Sequence, residues 1–100
     1  SAAVPAVTQP DGSQLINIWV TGHGYRPAIV AARAGVPAHL VIHTSGTTGC
    51  LRTITLAGHD HVLPATGTTT IDLGGQGPST LRFVCGMGMY QGFLEFHDTP

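Results

Sequence analysis

The sequence predicts an all-β fold, a Greek-key sandwich or barrel of about seven to eight short strands. Apolar and polar residues alternate with a period of two along several segments, which is typical of strands with one buried face. Glycine and proline, 14 and 7 of the 100 residues, interrupt those segments at short intervals. Apart from a short turn near Pro64, no window carries the apolar stripe of period 3.6 that an amphipathic helix shows.

The same alternation gives the position of each strand. In the first, Ile16, Ile18 and Val20 share one face, because successive side chains of a strand point to opposite sides. In the sixth, Leu81 and Phe83 share the face that we expect to enter the core. The predicted strands, in chain order, cover residues 14–21, 25–33, 38–44, 51–57, 68–73, 80–85 and 92–97.

Composition excludes several classes of protein. Hydrophobic residues make up 42% of the chain and charged residues only 9%, which argues against disorder, a coiled coil or a solvent-exposed helical bundle. The net charge is −1, so no basic patch is available to neutralise phosphates, and nucleic-acid binding is not expected. No apolar run approaches the length of about 18 residues that spans a bilayer.

The chain is interpreted as one domain preceded by a short segment. The first ten residues are small and apolar but lack the charged start of a signal peptide. Residues 1–13 are therefore interpreted as a tether or a trimmed N-terminal segment. Residues 14–98 form the predicted domain.

Both methionines and one of the two cysteines fall in the run Cys85-Gly86-Met87-Gly88-Met89. The strand that places Phe83 in the core should deliver Cys85 to the same face at the end of the sheet, where the glycines allow the methionines to turn back. Cys50, the other thiol, starts a strand that could reach the same end. Soft sulfur donors suit Cu(I), so Cys50, Cys85, Met87 and Met89 are the candidate metal ligands.

A structural disulfide between Cys50 and Cys85 is the alternative. Immunoglobulin-type sandwiches place a tryptophan between their paired cysteines, whereas Trp19 precedes both of these. Methionines usually fill gaps in cores, yet a disulfide leaves Met87 and Met89 unexplained. A metal site is therefore favoured, and a reversible disulfide in the metal-free protein is compatible with either interpretation.

Residues 83–94, FVCGMGMYQGFL, resemble the C-terminal metal loop of cupredoxin-like domains. Residues 24–27 and 34–37 resemble the early strands of that family, and Gly49-Cys50 resembles its upstream ligand position. The resemblance covers most of residues 14–97 and implies the cupredoxin type of sandwich.

Within the family, the sequence departs from the blue-copper electron carriers, which use two histidines and one cysteine. Cys50 stands where their upstream histidine would fall, and Met87 or Met89 stands in the second place. The pattern is similar to Cu(I)-handling domains of bacterial copper-resistance systems, which occur as membrane-anchored chaperones and as soluble domains of copper-transport membrane proteins. That resemblance implies a first Cu(I) bridged by Cys50 and Cys85, with the methionines completing that site or adding a second.

The same resemblance implies the setting in which the domain works. We expect an extracytoplasmic location, in the periplasm or at the outer face of the cytoplasmic membrane, with a membrane connection only through a tether or an attached domain. The expected partner is a copper-transport membrane protein or a copper donor or acceptor. The function so predicted is copper sequestration or transfer. An electron-transfer cupredoxin and a disulfide-stapled structural sandwich are the rival interpretations.

The histidines do not form a predicted common site. His59 and His61 flank Asp60 in a predicted turn, and a His-x-His pair can chelate Cu(II) or Zn(II) weakly, which makes it a candidate auxiliary metal site. The other four are interpreted as surface residues. The sequence has no nucleophile elbow, no phosphate loop and no usefully spaced carboxylate pair, so no enzymatic activity is predicted.

Overall fold

A computed structural model describes residues 3–98 of the chain. Eleven strands and one short 3-10 helix make up this part of the molecule. In chain order they are β1 (Val4–Pro5), β2 (Val7–Thr8), β3 (Gln14–Thr21), β4 (Gly24–Arg26), β5 (Ile29–Arg33), β6 (Pro37–Thr44), the 3-10 helix (Gly49–Arg52), β7 (Thr53–Leu56), β8 (His59–Val62), β9 (Gly67–Gly75), β10 (Ser79–Cys85) and β11 (Gln91–His97). No helix among these residues is long and apolar enough to cross a membrane.

The strands form two sheets. One has the order β1-β5-β11-β10-β7-β8, and the other has the order β2-β3-β6-β9 with β4 also paired to β3. Most neighbours are antiparallel, but β1 pairs with β5, β5 with β11 and β3 with β6 in parallel. The predicted all-β sandwich is confirmed.

The core lies between the sheets and draws on the faces that the alternation predicts. Ile16 and Ile18 of β3 and Leu40 and Ile42 of β6 are buried from one sheet. The facing residues from the other sheet include Ile54, Phe83, Leu94 and Phe96. Ile71 and Leu73 of β9 are only half-buried, because β9 is an edge strand whose inner face is partly open.

Two predicted strands have different bounds in the structure. The predicted strand 25–33 is split into β4 and β5, which belong to different sheets. Pro27 lies between them, and proline has no amide hydrogen to donate to a neighbouring strand. The predicted strand 51–57 begins at Thr53, because the 3-10 helix occupies the preceding residues.

The strand β8 was predicted as a turn. Ala57 and Gly58 both have positive φ, which reverses the chain tightly so that β8 pairs with β7. Three of the four residues of β8 are polar or charged side chains on an edge strand, so no alternation marked it. These differences, with β1 and β2, account for eleven observed strands against seven to eight predicted.

The segment 1–13, interpreted as a tether, contributes strands to both sheets. Val4 of β1 pairs with Val30, and Val7 of β2 pairs with Leu15. These strands are too short for periodicity to reveal them, and their valines remain exposed. Residues 1 and 2 of that segment, like residues 99 and 100, lie outside the described residues.

Gly92 sets the approach of β11 to β10 beneath the sulfur-rich loop. It pairs with Phe83, and a Cβ added at Gly92 would overlap the Phe83 ring and lie 2.6 Å from the carbonyl oxygen of Ala28. Glycine is therefore required for the phenyl ring to occupy this part of the core. The same contact fixes the two strands between which residues 86–90 run.

Candidate metal centre

Cys85 is the last residue of β10 and points into the core, where only 2% of it is exposed. The loop after it is closed by two backbone hydrogen bonds, from Cys85 N–H to the Tyr90 carbonyl (3.0 Å) and from Gly88 N–H to the Cys85 carbonyl (2.9 Å). Gly88 has φ +74°, a conformation that favours glycine. The hairpin therefore holds the loop directly over the buried thiol.

Cys50 comes from the 3-10 helix rather than from a strand. Leu51, its neighbour, is buried and anchors this helix to the core. The amide of Gly86 donates to the Cys50 carbonyl at 3.1 Å, which ties the helix to the beginning of the sulfur loop. The predicted approach of Cys50 to Cys85 is therefore observed, through a helix and a strand end instead of two strands.

The two thiols are free, and each influences the pKa of the other. The hydrogen bond that Cys50 donates to Cys85 raises the pKa of the Cys50 thiol, and burial adds to that shift. Burial opposes ionisation of Cys85, but hydrogen bonds from Cys50 and from the amides of Tyr90, Met87 and Met89 outweigh it and lower the pKa of Cys85. The Tyr90 amide lies 3.4 Å from the Cys85 sulfur. Cys85 is thus the first of the pair to ionise.

Both methionines lie on the surface, with Met87 78% exposed and Met89 66% exposed. They are not the gap-filling core residues that methionine often provides. Met89 lines a cleft of about 260 Å³ together with Cys50. Every side chain around this cleft is uncharged: Thr21, Ser45, Thr47, Thr48, Cys50, Leu51, Met89 and Tyr90.

Tyr25 is a residue of this region whose role the sequence analysis did not identify. Its ring packs edge-on against Phe83, with 4.9 Å between the ring centroids. Its hydroxyl oxygen is buried and has no hydrogen-bond partner among the described residues. Burial raises the pKa of Tyr25, and the charges of Cys85 and Cys50 raise it further. A half-buried tyrosine on a short strand is an ordinary packing residue, so the sequence offers no signal for a further role.

His59 and His61 lie elsewhere, on one face of the edge strand β8. They line a cleft of about 520 Å³ at the open side of the sandwich, with Asp72 of β9. His61 is in register with Ile54, which is in register with Cys85. Two strand spacings, or roughly 10 Å, therefore separate His61 from the cysteine strand. Within residues 3–98, no group of three or more His, Cys, Asp or Glu side chains could hold a metal ion.

A family model described as a cupredoxin-like domain matches residues 2–94 of the chain. None of the curated proteins is similar enough in sequence to count as a match.

Two solved structures share nearly the whole fold. One is the metal-binding domain of CopA, a Cu(I)-exporting P-type ATPase of Streptococcus pneumoniae D39, with Cu(I): the TM-score is 0.86, the identity is 25%, and the match covers 97% of each chain. The other is a copper binding protein in its apo form, with a TM-score of 0.84 and 26% identity over 96% of this chain and 98% of that one.

Proposed function

The chain belongs to the cupredoxin-like domain family, and on that premise we propose that it is a Cu(I)-binding domain that sequesters or transfers copper outside the cytoplasm. One observation carries the proposal. The hydrogen bond from the Gly86 amide to the Cys50 carbonyl brings the free Cys50 thiol to the end of the sandwich where Cys85 lies, and the exposed methionines Met87 and Met89 follow in the same loop. Thiolate and thioether sulfurs are soft donors that select Cu(I) over hard cations.

Cys50 and Cys85 supply the strong ligands of the first ion. Sulfur binds a metal as the thiolate, so loading releases protons. Cys85 provides the first thiolate, because its pKa is lowered by the hydrogen bonds around it. The Cys50 proton leaves when the second sulfur binds.

Met87 and Met89 are weaker, neutral donors that complete this site or hold a second ion, so the domain takes one or two Cu(I). Their exposure supports a role in transfer. A ligand of the partner protein can replace an exposed thioether on the copper ion before the buried Cys85 dissociates from it. Copper then passes by stepwise ligand exchange and is never released as a free ion.

The partner that fits this chemistry is a copper-transport membrane protein or a soluble copper donor or acceptor. The similarity to the metal-binding domain of a Cu(I)-exporting ATPase supports a role in transport. The extracytoplasmic location, with the membrane reached only through a tether or an attached domain, rests on the sequence resemblance. No catalytic activity and no nucleic-acid partner are proposed.

Electron transfer is the weaker alternative. A blue-copper centre needs two histidines beside its cysteine, and the part of the chain that the structure describes offers no such three-residue group. We expect a colourless copper complex. An intense blue or red colour on adding Cu(II) would favour the electron carrier instead.

The test is an anaerobic titration of the reduced protein with Cu(I) against a competing chelator. We expect one or two ions per chain, with tight binding abolished in the C50S/C85S double variant. A double variant that holds Cu(I) with the parent affinity would contradict the site assignment. Thiol titration of the native protein, with and without reductant, separates this function from that of a disulfide-stapled structural sandwich.

A further inference from the structure

The buried hydroxyl of Tyr25 is an anomaly in the metal-free protein. Buried polar atoms in folded proteins almost always have a hydrogen-bond partner, and one that lacks a partner costs free energy. Within residues 3–98, the Tyr25 hydroxyl is the buried side-chain oxygen or nitrogen that has none. Phenylalanine would fill the same space without that cost, so packing alone does not account for the hydroxyl.

The position of Tyr25 connects it to the cysteine pair. Its ring contacts Phe83, which precedes Cys85 by two residues on the same buried face of β10. Gly24, the neighbour of Tyr25 in β4, lets the Tyr90 ring approach β4, since a Cβ at Gly24 would lie 3.0 Å from that ring. The pKa of Tyr25 is raised, so the hydroxyl keeps its proton and remains a donor at physiological pH.

Copper loading changes the hydrogen bonds available to the sulfurs. In the metal-free protein the Cys85 sulfur accepts from the Cys50 thiol and from the Tyr90 amide. When both cysteines bind as thiolates, the Cys50 proton goes to solvent and this donor is lost. Two thiolates and one Cu(I) carry a net charge of −1, and the neighbouring cleft is lined by no cationic side chain.

We propose that Tyr25 is a positioning residue of the copper site, whose hydroxyl donates to the cysteine thiolate pair in the Cu(I)-loaded state. This inference rests on the proposed function. The tyrosine replaces the donor that Cys50 gives up, and it stabilises a buried negative charge without introducing a positive one. In the metal-free protein the Tyr25 hydroxyl has no hydrogen-bond partner, as expected of a donor that is used only in the Cu(I)-loaded state.

The test compares Tyr25→Phe with the parent, and Ser13→Ala serves as the control, because it also removes the hydroxyl of a buried residue but lies at the opposite end of β3 from the sulfur cleft. We expect Y25F to bind Cu(I) roughly tenfold to a hundredfold more weakly under chelator competition, the effect of losing a hydrogen bond to a charged group. The melting temperature of metal-free Y25F should equal or exceed that of the parent. Copper should then raise it less than it raises the melting temperatures of the parent and Ser13→Ala.

A measurement on the unmodified chain avoids any folding defect. With 13C-labelled tyrosine, the Cζ resonance of Tyr25, assigned by its loss in Y25F, should shift on Cu(I) loading. Equal affinity and equal copper-induced stabilisation in Y25F and the parent would overturn the inference, as would an unmoved Cζ resonance in a loaded protein. A parent that holds no Cu(I) would instead overturn the proposed function, and this inference with it.

Discussion

Two clefts of this domain carry metal-binding side chains, but only one of them assembles its donors from several parts of the chain. At the sulfur end, a 3-10 helix brings Cys50 and a strand end brings Cys85, and the Gly86–Cys50 hydrogen bond links the two. At the open side of the sandwich, His59 and His61 come from a single edge strand. Asp72, on the opposite sheet, also lines this cleft. Its carboxylate lies 3.8 Å from the Nδ1 atom of His39 and so pairs with that histidine rather than with His59 or His61.

The difference shows what turns donor residues into a site. Ligands held by independent, packed supports keep their geometry when the ion leaves. The cysteine pair has such supports in the buried side chains of Leu51 and Cys85. The imidazoles share one backbone and face a wide, open cleft, which allows a weak chelate and little more.

The single cysteine variants should produce the largest effect. We expect Cys50→Ser and Cys85→Ser each to abolish tight Cu(I) binding, because a hydroxyl is a hard, poorly ionised donor. They should differ in stability: C85S places a hydroxyl in a buried position and should cost about 1–3 kcal/mol, while C50S, at a half-exposed position, should cost less. Chelator competition and denaturant unfolding measure the two effects. Equal stability losses would contradict the assigned burial.

The methionine pair should have the next largest effect. Replacing both Met87 and Met89 by Leu removes the thioethers at nearly constant volume. Because both side chains are exposed, the free energy of unfolding should change by less than about 0.5 kcal/mol. Stoichiometry should fall, or copper should exchange more slowly with an acceptor, while the cysteine pair retains one ion. If the double Leu variant melts at a lower temperature than the parent but binds and transfers Cu(I) as the parent does, Met87 and Met89 are ordinary packing residues.

The cysteines should titrate in two separate steps. The lowered pKa of Cys85 and the raised pKa of Cys50 place one ionisation below and one above the ordinary thiol value. Thiolate absorbance near 240 nm, followed under reducing conditions, should resolve them. The folded state should gain stability from Cys85 as pH rises toward about 8.5 and lose it through Cys50 beyond that. In Cys50→Ala the Cys85 pKa should rise, because the hydrogen-bond donor has been removed; an unchanged value would mean that the thiols do not interact.

The histidine variants should have the smallest effect. His59→Ala with His61→Ala should leave Cu(I) affinity and stoichiometry unchanged, since both side chains lie outside the sulfur cleft. The double variant should lose only the weak binding of Zn(II) or Cu(II) expected of the auxiliary site, followed by NMR line broadening or calorimetry. A loss of Cu(I) binding in this variant would remove the distinction between the two clefts.

Sequence reasoning predicted those parts of the molecule that repeat a pattern. Alternation in β3, β6, β10 and β11 indicated their buried faces, since a strand between two packed sheets must alternate. It could not find β8, whose edge position tolerates polar residues on both faces. The approach of Cys50 to Cys85 depends on a 3-10 helix and on one hydrogen bond from a backbone amide. Neither feature produces a periodic pattern of apolar residues in the sequence. The role inferred for Tyr25 became visible only when its hydroxyl was found unpaired.

The strand after the sulfur loop, β11, pairs in parallel with β5 from the early part of the chain. Parallel strands cannot be joined by a hairpin, so the pairing of β11 with β5 closes a long loop of the chain. Closing that loop costs conformational entropy. The β10–β11 hairpin is local and can form on a microsecond scale, and it already carries Cys85, Met87 and Met89. A chain in which only this hairpin has formed therefore groups one thiol with two thioethers, and the second thiol, that of Cys50, joins them only through the pairing of β7 with β10.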